Sequence, residues 1–215
     1  MKKGLAEIVV VLDESGSMNL GKDDTIGGFN EFLKTQKKLD GEANFTLVKF
    51  SDYYKVVNEG VDIQHAAKLN EANYVPSYST ALLDACGRAI NSVNERMKKT
   101  PKKDRAEKVI FAVITDGHEN ASKEFTRKQI FDMVKEMREK KGWEFLFLGA
   151  DIDAWGQEIG ITTNVSYSKA DTMRNMKAMS YYTSNVRSCS ADLSMDNFSL
   201  SEVELDAKLK EAEKK

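Results

Sequence analysis

Nearly continuous apolar runs recur along the chain at Ile8-Val9-Val10-Val11-Leu12, at Val109 to Thr115 and at Trp143 to Leu148. Runs this short and this apolar read as strands buried on both faces of a sheet. Between them the period changes. Ile26, Phe29, Leu33 and Leu39 recur at roughly helical spacing through about residue 39, where Asp40-Gly41 supplies a stop. Leu82, Cys86, Ile90, Val93 and Met97 fall on one face at i, i+4, i+8, i+11 and i+15, which predicts a strongly amphipathic helix. Thr126 with Gln129 fits a capping box, and Phe125 with Ile130 fits the hydrophobic staple around it. From there Ile130, Met133, Val134 and Met137 carry a helix to Gly142.

The remaining segments fill in the alternation. Ala43 to Ser51 and Tyr53 to Asn58 are β-rich and nearly adjacent, and predict an antiparallel hairpin with its tip at Ser51-Asp52, on the edge of an otherwise parallel sheet. Short helices are expected at His65 to Asn70 and Ala154 to Ile159, with a weak strand at Asn164 to Tyr167. Met173, Met176 and Met179 with Tyr181-Tyr182 form a last helix whose methionines serve as core filler. Glu202 to Lys215 reads as a terminal helix or a frayed tail. Strand and helix alternating in this way define the α/β class: a doubly wound, mostly parallel central sheet with one antiparallel edge strand and helices on both faces. One domain over 1–187 is expected, with 188–215 as a C-terminal extension, helical or partly disordered.

Composition narrows the function. The chain has 215 residues and a formal net charge of −2, without the basic stripe of a nucleic-acid binder. The clusters Lys98-Lys99-Thr100-Pro101-Lys102-Lys103 and Lys140-Lys141 read as solvated turns. Cys86 and Cys189 make no disulfide framework, and Cys86 falls on an apolar helix stripe. No segment has the roughly 18 apolar residues of a membrane span. The basic start Met1-Lys2-Lys3-Gly4 leads into a stretch interrupted by Glu7 and ended by Asp13, unlike a signal peptide. A cytoplasmic location is the expectation.

The chemistry lies where the strands end. Asp13-Glu14-Ser15-Gly16-Ser17 follows the first apolar run directly and presents one carboxylate and two hydroxyls two residues apart. Hard oxygen ligands suit a small divalent cation such as Mg²⁺, with Mn²⁺ or Ca²⁺ as alternatives. Ser79-Thr80, before the amphipathic helix, and Thr115-Asp116-Gly117, after a buried strand, can complete the shell. In doubly wound sheets ligands bind at the carboxyl ends of strands, so Asp13, Asp116 and Gly149-Ala150-Asp151 are expected to share one crevice with Thr80. Asp13 and Asp116 match a dication's charge, while neutral Ser15, Ser17 and Thr80 leave the metal electrophilic toward an outside carboxylate. His65 and His118 are the only histidines and have no suitable companion ligand, so zinc is not expected.

These residues resemble the von Willebrand factor A domain, a Rossmann-like module, with its metal-ion-dependent adhesion site. Asp13, Ser15 and Ser17 match the Asp-x-Ser-x-Ser motif, Thr80 the loop threonine and Asp116 the Thr-Asp-Gly turn. The resemblance covers about residues 5 to 185 in element order. It implies that the two serines and the threonine contact the metal directly, that the aspartates act directly or through water, and that another protein supplies a Glu or Asp. Many relatives carry Gly or Gly-Ser where Tyr78-Ser79 stands here. Tyr78, His118 and Glu119, continuing to Asn120, are expected to line the rim and tune partner choice. Intracellular relatives often act in multiprotein assemblies, including partners of ring ATPases, and a bacterial or phage type is implied. The function expected is therefore a metal-dependent protein-binding module rather than an enzyme. Two rivals remain at this point. A haloacid-dehalogenase-type phosphotransferase also places an Asp after its first strand, but needs a second carboxylate where Ser15 stands. A scaffold with a vestigial metal site would instead use the Met173–Tyr182 segment.

Overall fold

The structure, a computed structural model, describes residues 1–150, 153–167 and 172–188. The elements in chain order are β1 (Lys2–Asp13), α1 (Lys22–Lys38), β2 (Ala43–Phe50), β3 (Tyr54–Asp62), α2 (Leu82–Lys99), β4 (Ala106–Thr115), α3 (Arg127–Lys141), β5 (Trp143–Ala150), α4 (Asp153–Glu158), β6 (Asn164–Tyr167) and α5 (Thr172–Ser188). A six-residue 3-10 segment occupies Gly16–Gly21, and single 3-10 turns occupy Ile63–His65 and Lys102–Asp104. The expected tail at Glu202 to Lys215, Cys189 and Asp151 lie outside the described residues.

The strands form one six-stranded sheet in the order β3-β2-β1-β4-β5-β6. Every pairing is parallel except β2 with β3, which is antiparallel at the edge. β1 sits in the middle, and its alternate side chains feed two cores. Ile8, Val10 and Leu12 pack with Phe29, Phe32, Met176, Met179 and Tyr182 under α1 and α5. Val9 and Val11 pack with Leu82, Cys86, Ile90, Val93, Ile130 and Val134 under α2 and α3. A strand covered on both faces has no polar side to present, which is why its sequence is an unbroken apolar run.

The helix ends follow their local chemistry. Thr126 accepts from the Gln129 backbone and the Gln129 side chain accepts from Thr126, completing the capping box of α3. Gly142 closes the same helix at φ 63°, a left-handed conformation that glycine takes without steric cost. One expectation fails. Residues 66–70 are not helical; only Ile63–His65 makes a single 3-10 turn. The side chains of α1 satisfy that strand-like strap instead. Asn30 donates to the Leu69 carbonyl and accepts from its N–H, both at 2.9 Å, and Lys37 donates to the Ala66 carbonyl at 3.1 Å. With Ala66, Leu69 and Tyr74 buried, the strap lies flat over the core.

Close approach of α5 to α1 depends on a small residue. A Cβ on Gly28 would lie 2.6 Å from both Cβ and Cγ of Met176. Cβ of Met176 is fixed to its own backbone and cannot swing aside. We expect Gly28→Ala to destabilise the protein by about 1–3 kcal/mol, as overpacking does. That outweighs the roughly 1 kcal/mol that alanine gains over glycine inside a helix. Urea unfolding measures it, and a variant as stable as the parent would refute the packing argument.

Candidate metal centre

β1 leads to β2 on one side of the sheet, and β4 lies on the other. The chain therefore reverses its direction of winding between β1 and β4, the position where open α/β sheets bind ligands. Leu12 pairs with Ile114, so Asp13 and Thr115 emerge side by side. The Thr115 hydroxyl donates to Asp13 Oδ2 at 2.6 Å, and the Ser15 N–H donates to Asp13 Oδ1 at 2.7 Å. Asp13 is buried. Burial raises its carboxyl to about 6, against the two hydrogen bonds that favour the charged form, and the nearby Asp116 charge adds to the rise. A buried carboxylate so disfavoured as an anion is one that a cation would stabilise.

The three hydroxyls meet on a single residue. Ser15 Oγ lies 3.2 Å from Ser17 Oγ, and Ser17 Oγ donates to Asp116 Oδ1 at 2.5 Å. A Cβ built on Gly117 would come within 2.8 Å of Thr80 Oγ1, 3.2 Å of Ser17 Oγ and 3.4 Å of Ser15 Oγ. Three stretches of chain, around residues 15–17, 80 and 116–117, thus bring their oxygens to one small space kept open by the missing side chain. Of the five residues expected as ligands, Ser15, Ser17, Thr80 and Asp116 come together at this point, and Asp13 stands beside them through Thr115, whose hydroxyl also contacts Gly117. Among the described residues no three His, Cys, Asp or Glu side chains group as a metal site. The donor set here is instead two carboxylates with three hydroxyls, which suits a hard cation. These residues fit a divalent ion.

The loops are held from behind by residues whose part the sequence reading missed. Asn120 accepts from the Thr80 N–H at 2.9 Å through its side chain, and the Asn120 N–H donates to the Thr80 carbonyl at 3.0 Å. Tyr74 is fully buried and donates to the Asp13 carbonyl at 2.7 Å. Glu14, between the motif residues, is buried too. Its Oε1 accepts from Lys49 Nζ and from the Val75 N–H, each at 2.7 Å, and its Oε2 from the Tyr53 hydroxyl at 2.5 Å. The Ser77 N–H donates to the Glu14 carbonyl at 2.9 Å, so one residue ties the first loop, the β2–β3 hairpin and the Thr80 loop together. The signal available was an acidic residue in a loop that follows a buried strand, with a lysine, Lys49, inside a second buried strand.

The residues expected at the rim divide. Tyr78 is exposed and held at φ 65°. Its carbonyl accepts from the Gly16 N–H at 3.0 Å, which fixes this strained backbone against the first loop. His118 is exposed. Glu119 is tied to its own chain. Its oxygens accept from the N–H groups of Leu83, Ala121 and Ser122 and from the Ser122 hydroxyl, bracing the start of α2. Asp84 supports the same loop. Burial opposes its charge, but the N–H groups of Lys123, Phe125 and Glu124 more than offset that and hold it below the usual carboxylate range.

A doubly wound sheet with this oxygen-lined crevice defines a Rossmann-like binding domain. The chain belongs to the von Willebrand factor type A domain family, whose sequence model matches residues 7–195. The fold is similar to that of the PilB minor pilin from Streptococcus sanguinis (a mutant form), at 13% identity and a TM-score of 0.60, covering 84% of this chain and 62% of that one. It is also similar to proximal thread matrix protein 1 from the mussel byssus, described with a zinc-occupied MIDAS motif, at 18% identity and a TM-score of 0.55, covering 84% of this chain and 46% of that one. Manganese-loaded TRAP protein of Plasmodium vivax matches at 15% identity and a TM-score of 0.57, covering 80% of this chain and 72% of that one. The chain therefore spans less than two thirds of the pilin and about half of the byssal protein. A comparison with curated proteins finds no match. No helix among the described residues is long and apolar enough to cross a membrane.

Proposed function

We propose that this chain is a metal-dependent protein-binding module that captures an acidic side chain of another protein through a divalent ion, Mg²⁺ by preference. The observation that carries this reading is the convergence of the Ser15, Ser17 and Thr80 hydroxyls over Gly117, beside Asp13 and Asp116. Family membership supports it, as do the metal-occupied structures of the byssal and Plasmodium proteins. Ser15, Ser17 and Thr80 would hold the ion directly, with Asp13 and Asp116 acting directly or through water. A divalent ion bound among mainly neutral oxygens supplies a Lewis-acidic position that an outside carboxylate can complete. Asp13 stays fixed by Thr115, and Thr80 by Asn120, so the donor positions are set before binding. Tyr78 and His118 face the approaching partner, while Glu119 braces the loop that carries His118 and Gly16 holds Tyr78. A partner within a larger assembly, such as one containing an ATPase, fits a module of this kind.

Pull-down from lysate with Mg²⁺, with and without chelator, tests the reading. We expect a specific set of proteins to be lost on chelation. Thr80→Ala should weaken capture with less effect on resting metal affinity, because one neutral ligand is removed and both carboxylates remain. Calorimetric titration with Mg²⁺, Mn²⁺ and Ca²⁺ separates the two effects. Capture indifferent to chelator and to Thr80→Ala would count against this proposal and for a scaffold whose metal site is vestigial.

A further inference from the structure

Large apolar side chains stand exposed on the loops around the proposed metal position. Among the described residues, the large hydrophobic side chains left exposed are Met1, Leu20, Tyr53, Val56, Val75, Tyr78 and Phe131. Four of them belong to the loops that build the site. Leu20 is 84% exposed, Tyr78 72%, Val75 52% and Tyr53 37%. Hydrogen bonds tie together the loops that carry these four. Tyr53 and the Val75 N–H both donate to Glu14. Asn19, next to Leu20, donates to the Pro76 carbonyl at 3.1 Å. The Tyr78 carbonyl accepts from Gly16 in the first loop.

Two further features argue that this collar is for contact. Tyr78 sits at φ 65°, and a bulky residue there is a genuine outlier. The hydrogen bonds from Gly16 to Tyr78 and from Ser77 to Glu14 hold the strain in place, with the aromatic side chain left in solvent. The segment 72–83, which carries Val75, Tyr78 and Thr80, has no Asp, Glu, Lys or Arg, although such residues make up 31% of the chain. A polyacidic partner would find no basic side chain on that segment. It would find one position for one carboxylate, and apolar surface beside it.

We propose that Leu20, Tyr53, Val75 and Tyr78 form an apolar collar that selects a protein segment in which a single Asp or Glu is flanked by aliphatic or aromatic residues. The inference rests on the metal-dependent reading above and names its partner class. Single exposed apolar residues need no explanation, but a cluster bordering a polar centre marks an interaction site. The carboxylate supplies the bond to the ion, and the flanking side chains supply burial, as in sites lined mainly by apolar groups with one placed charge or metal that fixes orientation.

A display library of random heptapeptides with glutamate fixed at the centre is the probe. It is bound to the full chain in Mg²⁺ and eluted with chelator. We expect aliphatic or aromatic residues within two positions of the glutamate to be enriched by roughly tenfold, the effect of burying one such side chain. The double variant Leu20→Ser/Val75→Ser should keep its Mg²⁺ affinity by calorimetry and lose that enrichment. Chelator-eluted peptides with no flanking preference, or with further acidic residues, would overturn the collar and leave the metal-dependent reading standing. If no peptide elutes with chelator, both fall. Enrichment that survives the double variant would also overturn the collar.

Discussion

Gly117→Ala is expected to weaken divalent-metal binding by about 100-fold while leaving the fold intact. The added methyl group would sit where three hydroxyls converge, 2.8 Å from Thr80 Oγ1 and within 3.4 Å of Ser15 and Ser17. Thr80 has little freedom to retreat, because Asn120 holds both its N–H and its carbonyl. Gly117 is absent from the positive-φ residues, so alanine meets no backbone strain there. Replacing glycine by alanine at a compatible position stabilises by about 0.4–1 kcal/mol through the unfolded chain. Against that gain stands the 2.8 Å contact with Thr80 Oγ1, an overpacking cost of about 1–3 kcal/mol, so the variant should still fold but unfold at or a few degrees below the parent's temperature. Disturbing the support of metal ligands typically costs 10–100-fold in affinity, and blocking the space itself belongs at the upper end of that range. Titration calorimetry with Mg²⁺ and Mn²⁺, together with thermal unfolding, reads both quantities. Unchanged affinity would mean that the ion binds elsewhere. Asp13→Ala is a less clean test, since it also strands the Ser15 N–H in the interior and takes away the shorter of the Thr115 hydroxyl's two bonds to acceptors.

What the sequence made legible follows from which forces act locally. β1 shows its double burial in five consecutive apolar residues, and α2 shows its buried face in the spacing of Leu82, Cys86, Ile90 and Val93. The capping box at Thr126 is written in two residues three apart. The meeting of the five candidate ligands was legible because each sits at a strand end or a helix approach, where topology alone brings it to the switch point. The supports were not. Glu14 reads as a loop acid until Lys49 and Tyr53 arrive from another strand and hairpin. Likewise Glu119 reads as a rim acid until the N–H groups of Leu83, Ala121 and Ser122 surround it. The strap at 66–70 took a helical reading because the hydrogen bonds that replace a helix come from Asn30 and Lys37, over 25 residues away. Pairings between distant residues of this kind leave no periodic trace.

Lys49→Met is expected to destabilise the protein by about 3–5 kcal/mol, the usual effect of leaving one member of a buried ion pair without its partner. Lys49 and Glu14 are both buried, 2.7 Å apart. The exposed pair Lys2–Glu42 makes the contrast, for such surface contacts are worth about 0–1 kcal/mol. Methionine retains most of the lysine stem, so the packing loss is small and the charge is what is removed. Glu14 would keep its bonds from Val75 and Tyr53 but have no counter-charge, and Asn73 would lose the Lys49 donor to its carbonyl. A second substitution, Glu14→Gln, removes the stranded charge, so the double variant should regain part of the loss. The resulting coupling, measured by urea unfolding of the two single variants and the double, separates the ion pair from simple packing. Against a total stability of about 5–15 kcal/mol, the single change is large enough to expose both metal-site loops to local opening. Metal affinity should then fall in Lys49→Met and recover in parallel with stability in the double variant. Additive single effects would show that Glu14 and Lys49 act independently, and that the first loop and the Thr80 loop are joined by backbone contacts alone.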